Sequence, residues 1–234
     1  MEITLMISEK TFARGYSSFW TQNTPWLTDY VSFLNKGSIE RMFKPMVSLD
    51  ETKYRSINNS AAFIDFKQKR IGEELELSKI IEITSDNLKH LPRNGLETYI
   101  LDEVNNSTIK EQSKRLISTY SGKKLIFEPQ FGGCGIIANC QGDLLYENVL
   151  CEIKAGERNI QSSDIKQLLV YCALNWLSDE KIEIEKIEIF NPRQGIYWNS
   201  TLINLMENIS TLPMEDFFEE IGHFLYITSE EFEL

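Results

Sequence analysis

Gly142-Asp143-Leu144-Leu145-Tyr146-Glu147-Asn148-Val149-Leu150-Cys151-Glu152-Ile153-Lys154 is the stretch on which the reading of this chain turns. Apolar residues on either side of Tyr146-Glu147-Asn148 read as two strands joined by a tight turn. With Glu147-Asn148 as a two-residue loop, Tyr146 faces Val149, and counting back sets Asp143 opposite Glu152. Facing cross-strand residues have Cβ atoms about 4.5–5.5 Å apart. Glu152 and Lys154 then share one face of their strand, while Cys151 and Ile153 take the other. Two carboxylates placed this way repel each other. A divalent cation between them reverses the sign, because hard cations seek carboxylate oxygens. A neighbouring lysine adds a group that orients water or stabilises phosphate charge, the pattern of metal-assisted phosphodiester hydrolysis.

Around this hairpin, Leu125–Phe131, Gly135–Leu145 and Val149–Ala155 read as a three-stranded antiparallel meander, its first turn at Gly132-Gly133. Ser107–Tyr120 reads as a helix before it, opened by a Thr108/Glu111 capping box. Asp164–Trp176 reads as a helix after it, and Lys186–Phe190 as a fourth core strand. Gln167 and Tyr171 are four apart and stack on one helix face. The remainder reads as helical, with Pro213 near a helix start and Phe217, Phe218, Ile221, Phe224 and Leu225 as its packing stripe. Upstream, Ser38–Lys44 reads as a short helix, Ala61–Glu76 as a helix and Lys79–Thr84 as a strand.

Gly142-Asp143, Glu152-Ile153-Lys154 and Gln167-Leu-Leu-Val-Tyr171 together resemble the PD-(D/E)XK nuclease superfamily, and the Gln-x-x-x-Tyr element is similar to its RecB-like branch. The resemblance covers roughly residues 108–200. Gly142 stands before Asp143 where the eponymous motif has proline. The resemblance implies an α/β, restriction-endonuclease-like core: helix, three-stranded antiparallel meander, helix, strand. Residues 107–234 would form this nuclease domain and residues 1–106 an N-terminal, mostly helical extension. It implies cleavage of DNA, more rarely RNA, with Mg²⁺ (Mn²⁺ as a substitute) held by Asp143, Glu152 and the Ile153 carbonyl, and a 5′ phosphate on the product. Lys154 would activate water, Gln167 would orient the catalytic groups and Tyr171 would contact the DNA backbone. A further acidic ligand is assigned to Glu111 or to Glu128, with the capping box as the competing account of Glu111. Lys166, Arg158 and Arg193 are candidate phosphate contacts, and a surface ion pair is the alternative for Arg193.

Composition sets bounds on this reading. The 234 residues carry a net charge of −11. Residues 1–120 hold 16 basic and 16 acidic residues; residues 121–234 hold 8 and 19, so the whole deficit lies there. A polyanion needs local positive charge, so a basic patch, metal ions or a protein partner must supply the attraction. Lys67–Arg70 is the densest basic run, read either as a solvated helix face or as a phosphate contact. Cys134, Cys140, Cys151 and Cys172 lack Cys-x-x-Cys spacing and read as buried reduced thiols. His90 and His223 are far apart, against His-metal and Ser-His or Cys-His hydrolase chemistry. No Gly-x-x-x-x-Gly-Lys-Ser/Thr occurs, so a P-loop ATPase is excluded. No run of about 18 apolar residues reads as a membrane span, and Met1–Lys10 lacks the pattern of a secretory signal; a cytoplasmic location is the expectation. A nuclease core without its own ATPase points to the effector of a multi-protein system such as antiviral defence or restriction, with a protein partner or a homo-oligomer. The competing readings are a catalytically silent nuclease-fold assembly or binding subunit, and an RNA-cleaving enzyme.

Overall fold

The computed structural model describes residues 6–90 and 95–232, so half of the opening Met1–Lys10 stretch lies outside the described residues. In chain order the helices and strands begin with α1 (Glu9–Arg14), α2 (Ser17–Asn23), α3 (Leu27–Phe33), β1 (Glu40–Arg41), α4 (Arg55–Arg70), α5 (Leu77–Leu88) and α6 (Glu103–Thr119). Next come β2 (Ile126–Phe127), β3 (Gln130–Phe131), β4 (Cys140–Gln141), β5 (Leu144–Tyr146), β6 (Val149–Ile153) and α7 (Ser162–Leu177). The chain finishes with β7 (Lys186–Asn191), β8 (Ile196–Thr201), α8 (Leu202–Ile209) and α9 (Met214–Phe232). The protein is an α/β fold around a mixed six-stranded sheet of order β1-β8-β7-β6-β5-β2, with β3 and β4 as a separate ribbon. Among the described residues, β6 and β7 are the only pair of strands in this sheet that run parallel. Parallel neighbours need a crossover of a dozen or more residues, and α7 is part of it.

The hairpin at the centre forms as its spacing predicts. Glu147 and Asn148 have φ of 44° and 63°, the two positive values that a type I′ turn requires. The ladder pairs Tyr146 with Val149, Leu145 with Leu150 and Leu144 with Cys151. Strand alternation then sorts the core. Leu145, Leu150, Ile187 and Ile189 pack with Ile165, Leu168 and Leu169 of α7 on one face. Leu144, Tyr146, Cys151 and Phe190 pack with Leu116, Tyr120 and Phe66 on the other. The α7 side also takes up Phe12 and Trp20 from the N-terminal helices and Phe217, Phe218 and Leu225 from α9.

Several expectations need correction. Ser38–Lys44 is not a helix. Gly37 at φ 152° ends the helical turn before it, and Glu40 and Arg41 pair with Tyr197 and Ile196 at the sheet edge. Lys79–Thr84 lies inside α5, where Ile80 and Thr84, four apart, are the buried face. The Ile-Ile-Glu-Ile run fits both periods, and packing decided between them. The capping box at Thr108 is absent. Asp102 caps α6 by accepting from the Asn105 amide at 2.8 Å, and Thr108 is buried one turn further on. The meander strands are broken: Leu125–Phe131 divides around Glu128 at φ 53°, and Gly135–Leu145 narrows to β4 and β5. β8 stands where the sequence read as helical. Cys151 and Cys172 are buried, Cys134 and Cys140 half-buried, and all four are unpaired. Among the described residues no helix is long and apolar enough to cross a membrane.

Candidate active site

The side chains the motif singles out meet on the α7 face of the hairpin. Asp143 steps out of the ladder just before β5, held by its carbonyl, which accepts from the Glu128 amide at 3.0 Å. Its Oδ2 reaches across to accept from the Ile153 amide at 2.6 Å, one residue beyond Glu152. Glu152 is almost fully buried. Its Oε1 accepts from Lys154 Nζ at 2.9 Å, and Lys154 Nζ also donates to Gln167 Oε1 at 2.7 Å. Asp164, at the start of α7, lies 3.7 Å from the same ammonium. Asp143, Glu152, Ile153, Lys154 and Asp164 line a cleft of about 320 Å³, together with Lys10 and Arg14. Gln167 lies behind Lys154 and does not line it.

The ladder ends at Leu144 and Cys151, so Asp143 is not paired opposite Glu152 as the spacing predicts. Burial, and then the nearby Glu152 charge, push the Asp143 carboxyl up to about 7. Lys154 moves the other way from what burial alone would do. Burial opposes its charge, but Glu152, Asp164 and Asp143 outweigh that and raise its pKa, so in this arrangement it is an ammonium. Asp164 is likewise opposed by burial, yet the Arg158 fork and Lys154 hold its pKa below the usual carboxylate range.

Gln167 and Tyr171 share one face of α7 as the helical spacing predicts, but only Gln167 touches Lys154. Tyr171 is fully buried with its ring stacked on Phe131, so its expected contact with a DNA backbone is corrected to an interior support. A residue that the motif reading did not include holds both side chains there. Glu9 of α1, buried, accepts from Gln167 Nε2 at 3.1 Å and from the Tyr171 hydroxyl at 3.0 Å. Gln167 Nε2 also donates to the Tyr171 oxygen at 2.8 Å. With its amide nitrogen committed to Glu9 and Tyr171, Gln167 can only present its carbonyl oxygen to Lys154. A lone Glu in a six-residue helix, 158 positions from Gln167, carries no spacing signal; the nearest hint is that Glu9 sits beside Lys10 directly before the apolar Phe12-Ala13 pair.

The remaining candidates divide. Glu128 stays near the site: it lines a second cleft with Asp143, about 600 Å³ in volume, and is ion-paired to Lys67 at 2.6 Å. Glu111 is elsewhere, paired to Arg115 at 2.8 Å beside the Pro45–Leu49 segment. Arg158 is bound in a fork to Asp164 at 2.6 and 2.7 Å. Lys166 lies over the Trp20 ring at 5.1 Å, and burial lowers its pKa. Arg193 is the clear correction: it is fully buried and forks onto Asp50 at 2.8 and 2.9 Å, so it is an interior ion pair and neither a surface one nor a phosphate contact.

The donor set suits a hard cation. Asp143 and Glu152 offer carboxylate oxygens, with the Ile153 backbone in the same cleft lining. Burial first and Glu152 second raise the pKa of Asp143, and a cation bound beside it would offset both. Among the described residues no group of three or more His, Cys, Asp and Glu side chains is arranged to hold a metal ion. That leaves two carboxylates, the number with which Mg²⁺ is commonly held when waters and substrate phosphate complete its shell. No protein-family model matches this chain, and no curated protein matches it.

Proposed function

We propose that this protein is a metal-dependent nuclease of the PD-(D/E)XK type, with the restriction-endonuclease-like arrangement as its catalytic core and DNA as its substrate. The observation that carries this reading is the contact set on one sheet face: Asp143 capping the Ile153 amide beside Glu152, and Lys154 bridging Glu152 and Gln167. The order of elements supports it: α6, an antiparallel hairpin series, α7, then β7 parallel to β6.

Asp143, Glu152 and the Ile153 carbonyl would hold Mg²⁺, which when bound supplies Lewis-acid polarisation of a phosphate oxygen and neutralises the two carboxylates. The chain's own residues do the rest. Lys154, fixed by two hydrogen bonds and kept protonated, places positive charge where a pentavalent phosphorus would gather negative charge. Gln167 fixes the direction of that ammonium, and the buried Tyr171–Glu9 pair fixes Gln167. Low exposure of Glu152 and Tyr171 strengthens each of these interactions relative to water.

The test is incubation of circular and linear DNA, and matched RNA, with Mg²⁺, Mn²⁺ or EDTA. Wild-type protein is expected to cut DNA with either metal and not with EDTA, and Lys154→Ala to lose roughly 10²–10³-fold in kcat. Undiminished cutting by Lys154→Ala would refute the assignment. A silent assembly subunit is the second reading, favoured by the −11 net charge; a wild-type protein that cuts nothing and binds no Mg²⁺ in a calorimetric titration would favour it over the nuclease.

Glu9 acts in this scheme as a positioning residue. Glu9→Gln can donate where the carboxylate only accepted, which frees the Gln167 amide to turn its NH₂ toward Lys154. A hydrogen bond to a charged group is worth about 1.5–3 kcal/mol, so kcat is expected to fall roughly tenfold or more with KM little changed. Equal losses in KM and kcat, or none, would count against it.

A further inference from the structure

The site cleft has four cations on its lining, and two of them are already engaged. Lys154 is held by Glu152 and Gln167, and Arg158 by Asp164. Lys10 and Arg14 also line the cleft but, among the described residues, make no ion pair or side-chain hydrogen bond. Both are exposed. They are four apart on α1, so they stand on one helix face. Lys10 is near enough to the metal-site pair that its charge favours the ionised form of Asp143.

α1 is also rigidly seated. Phe12 and Ala13 are buried beneath it, Ser8 caps its start by accepting from the Thr11 amide at 3.1 Å, and Glu9 is tied to Gln167 and Tyr171. α1 therefore presents two unengaged cations to a cleft whose other two cations, Lys154 and Arg158, are already held by carboxylates. The chain as a whole carries −11, so any polyanion that reaches Asp143 needs such a local patch.

We propose that α1 grips the nucleic-acid backbone: Lys10 and Arg14 bind backbone phosphates flanking the one at Asp143 and Glu152, in place of Arg158, Lys166 and Arg193. This rests on the nuclease reading. The chemistry recognised is the phosphodiester, shared by single strands and duplexes, and the test carries one arm for each.

The experiment is fluorescence anisotropy with a labelled DNA oligonucleotide, single-stranded and duplex, with Ca²⁺ in place of Mg²⁺, across a range of salt. It compares wild type, Lys10→Ala/Arg14→Ala, the charge reversal Lys10→Glu/Arg14→Glu, and Lys79→Ala, whose ammonium pairs with Glu82 on exposed α5. Each lost charge-assisted contact is expected to weaken binding roughly tenfold. The slope of log affinity against log salt is expected to flatten by about 1.8 on duplex or about 1.4 on single strands. Charge reversal should weaken binding further, and Lys79→Ala should match wild type. Wild-type affinity and slope in the double alanine variant would overturn the assignment while leaving the nuclease reading standing. Weaker binding at an unchanged salt slope would overturn it too, since no phosphate contact would have been lost. A wild type that binds neither form of DNA would overturn the DNA-nuclease reading and this proposal together.

Discussion

Arg193→Ala is expected to cost about 3–5 kcal/mol of folding stability, the loss measured when one partner of a buried ion pair is removed. For a chain of this size that lowers Tm by roughly 6–20 °C. Arg193 Nη1 and Nη2 donate to the two Asp50 oxygens, Nη2 also to Asn59 Oδ1 at 3.0 Å and Nη1 to Ser48 Oγ at 3.3 Å. Asp50 in turn accepts from Asn58, which is bonded to Asn105 and Tyr99. Removing the guanidinium leaves a buried carboxylate with one amide donor. The pair itself is not a large net gain, since Arg193 Nε has no partner and both charges were taken out of water. The double replacement Asp50→Leu/Arg193→Met is therefore expected to recover most of the loss. Burial pushes the Asp50 carboxyl up, but Arg193 and Asn58 outweigh it and hold its pKa below the usual range. A depressed folded pKa gives stability that is present above the unfolded value of about 3.9 and is lost as pH falls through the folded one. Wild-type stability should decline in that acid window, and the double variant should lack that part of the decline. Chemical denaturation of the four proteins of the cycle checks both claims; a single variant no worse than the double would refute the buried-charge account. The loss would reach the site as well. Asn59, held by Arg193, donates to the Ala155 carbonyl at 3.0 Å, one residue past Lys154.

Arg193 also shows where sequence reasoning stops. Its partner lies 143 positions away, and a charged residue after a strand reads as surface unless that partner can be seen. The hairpin was legible for the opposite reason. Its register is set locally, by a two-residue loop and by alternation, so Asp143, Glu152 and Lys154 could be brought to one site from spacing alone, although the ladder ends before Asp143 and Glu152. That Gln167 and Tyr171 share one helix face followed from helical period; that Tyr171 is sealed inside against Phe131 did not. What local pattern could not carry was the contribution of α1. Glu9, Lys10 and Arg14 belong to six helical residues without a motif, brought to the site by the burial of Phe12 against α7 and Phe224. The same limit explains α5, where Ile80-Ile81-Glu82-Ile83 satisfies two periodicities, and β8, whose Ile196-Tyr197-Trp198 run became a strand because β7 offered it an antiparallel edge and β1 paired with its far side. Gly195 at φ 65° makes the turn between β7 and β8; a Cβ there would fall 2.1 Å from the Phe43 carbonyl oxygen.

Asp143→Asn is expected to slow cleavage severely while making the metal-free protein more stable. The amide oxygen of Asn keeps the acceptor for the Ile153 amide, and its NH₂ faces Glu152 as a donor where a second carboxylate had stood. The side chain is similar in size, so packing is conserved and only the charge is removed. The folded pKa of Asp143, about 7, lies above the unfolded value of about 3.9. Between these values the folded state binds more protons than the unfolded one, so folding stability falls as pH rises, and the full penalty is present above about pH 7. The variant's advantage should therefore be negligible below about pH 4, grow through the window and reach on the order of a few kcal/mol near pH 8. Cutting should fall by roughly 10²–10³-fold or more, the scale on which loss of one charge-stabilising group acts. Mg²⁺ should raise the Tm of wild type, because a ligand that binds only the folded state stabilises it, and should do little for Asp143→Asn. The two responses have one origin. The buried Asp143 charge, disfavoured by burial and then by Glu152, is also the charge that would attract a cation, so removing it by mutation removes both the penalty and the binding energy. Denaturation midpoints near pH 4 and pH 8, with and without Mg²⁺, beside a cleavage assay, test this. A stability difference that does not change with pH, or cutting retained by the variant, would show that Asp143 does not hold the charge on which the site depends.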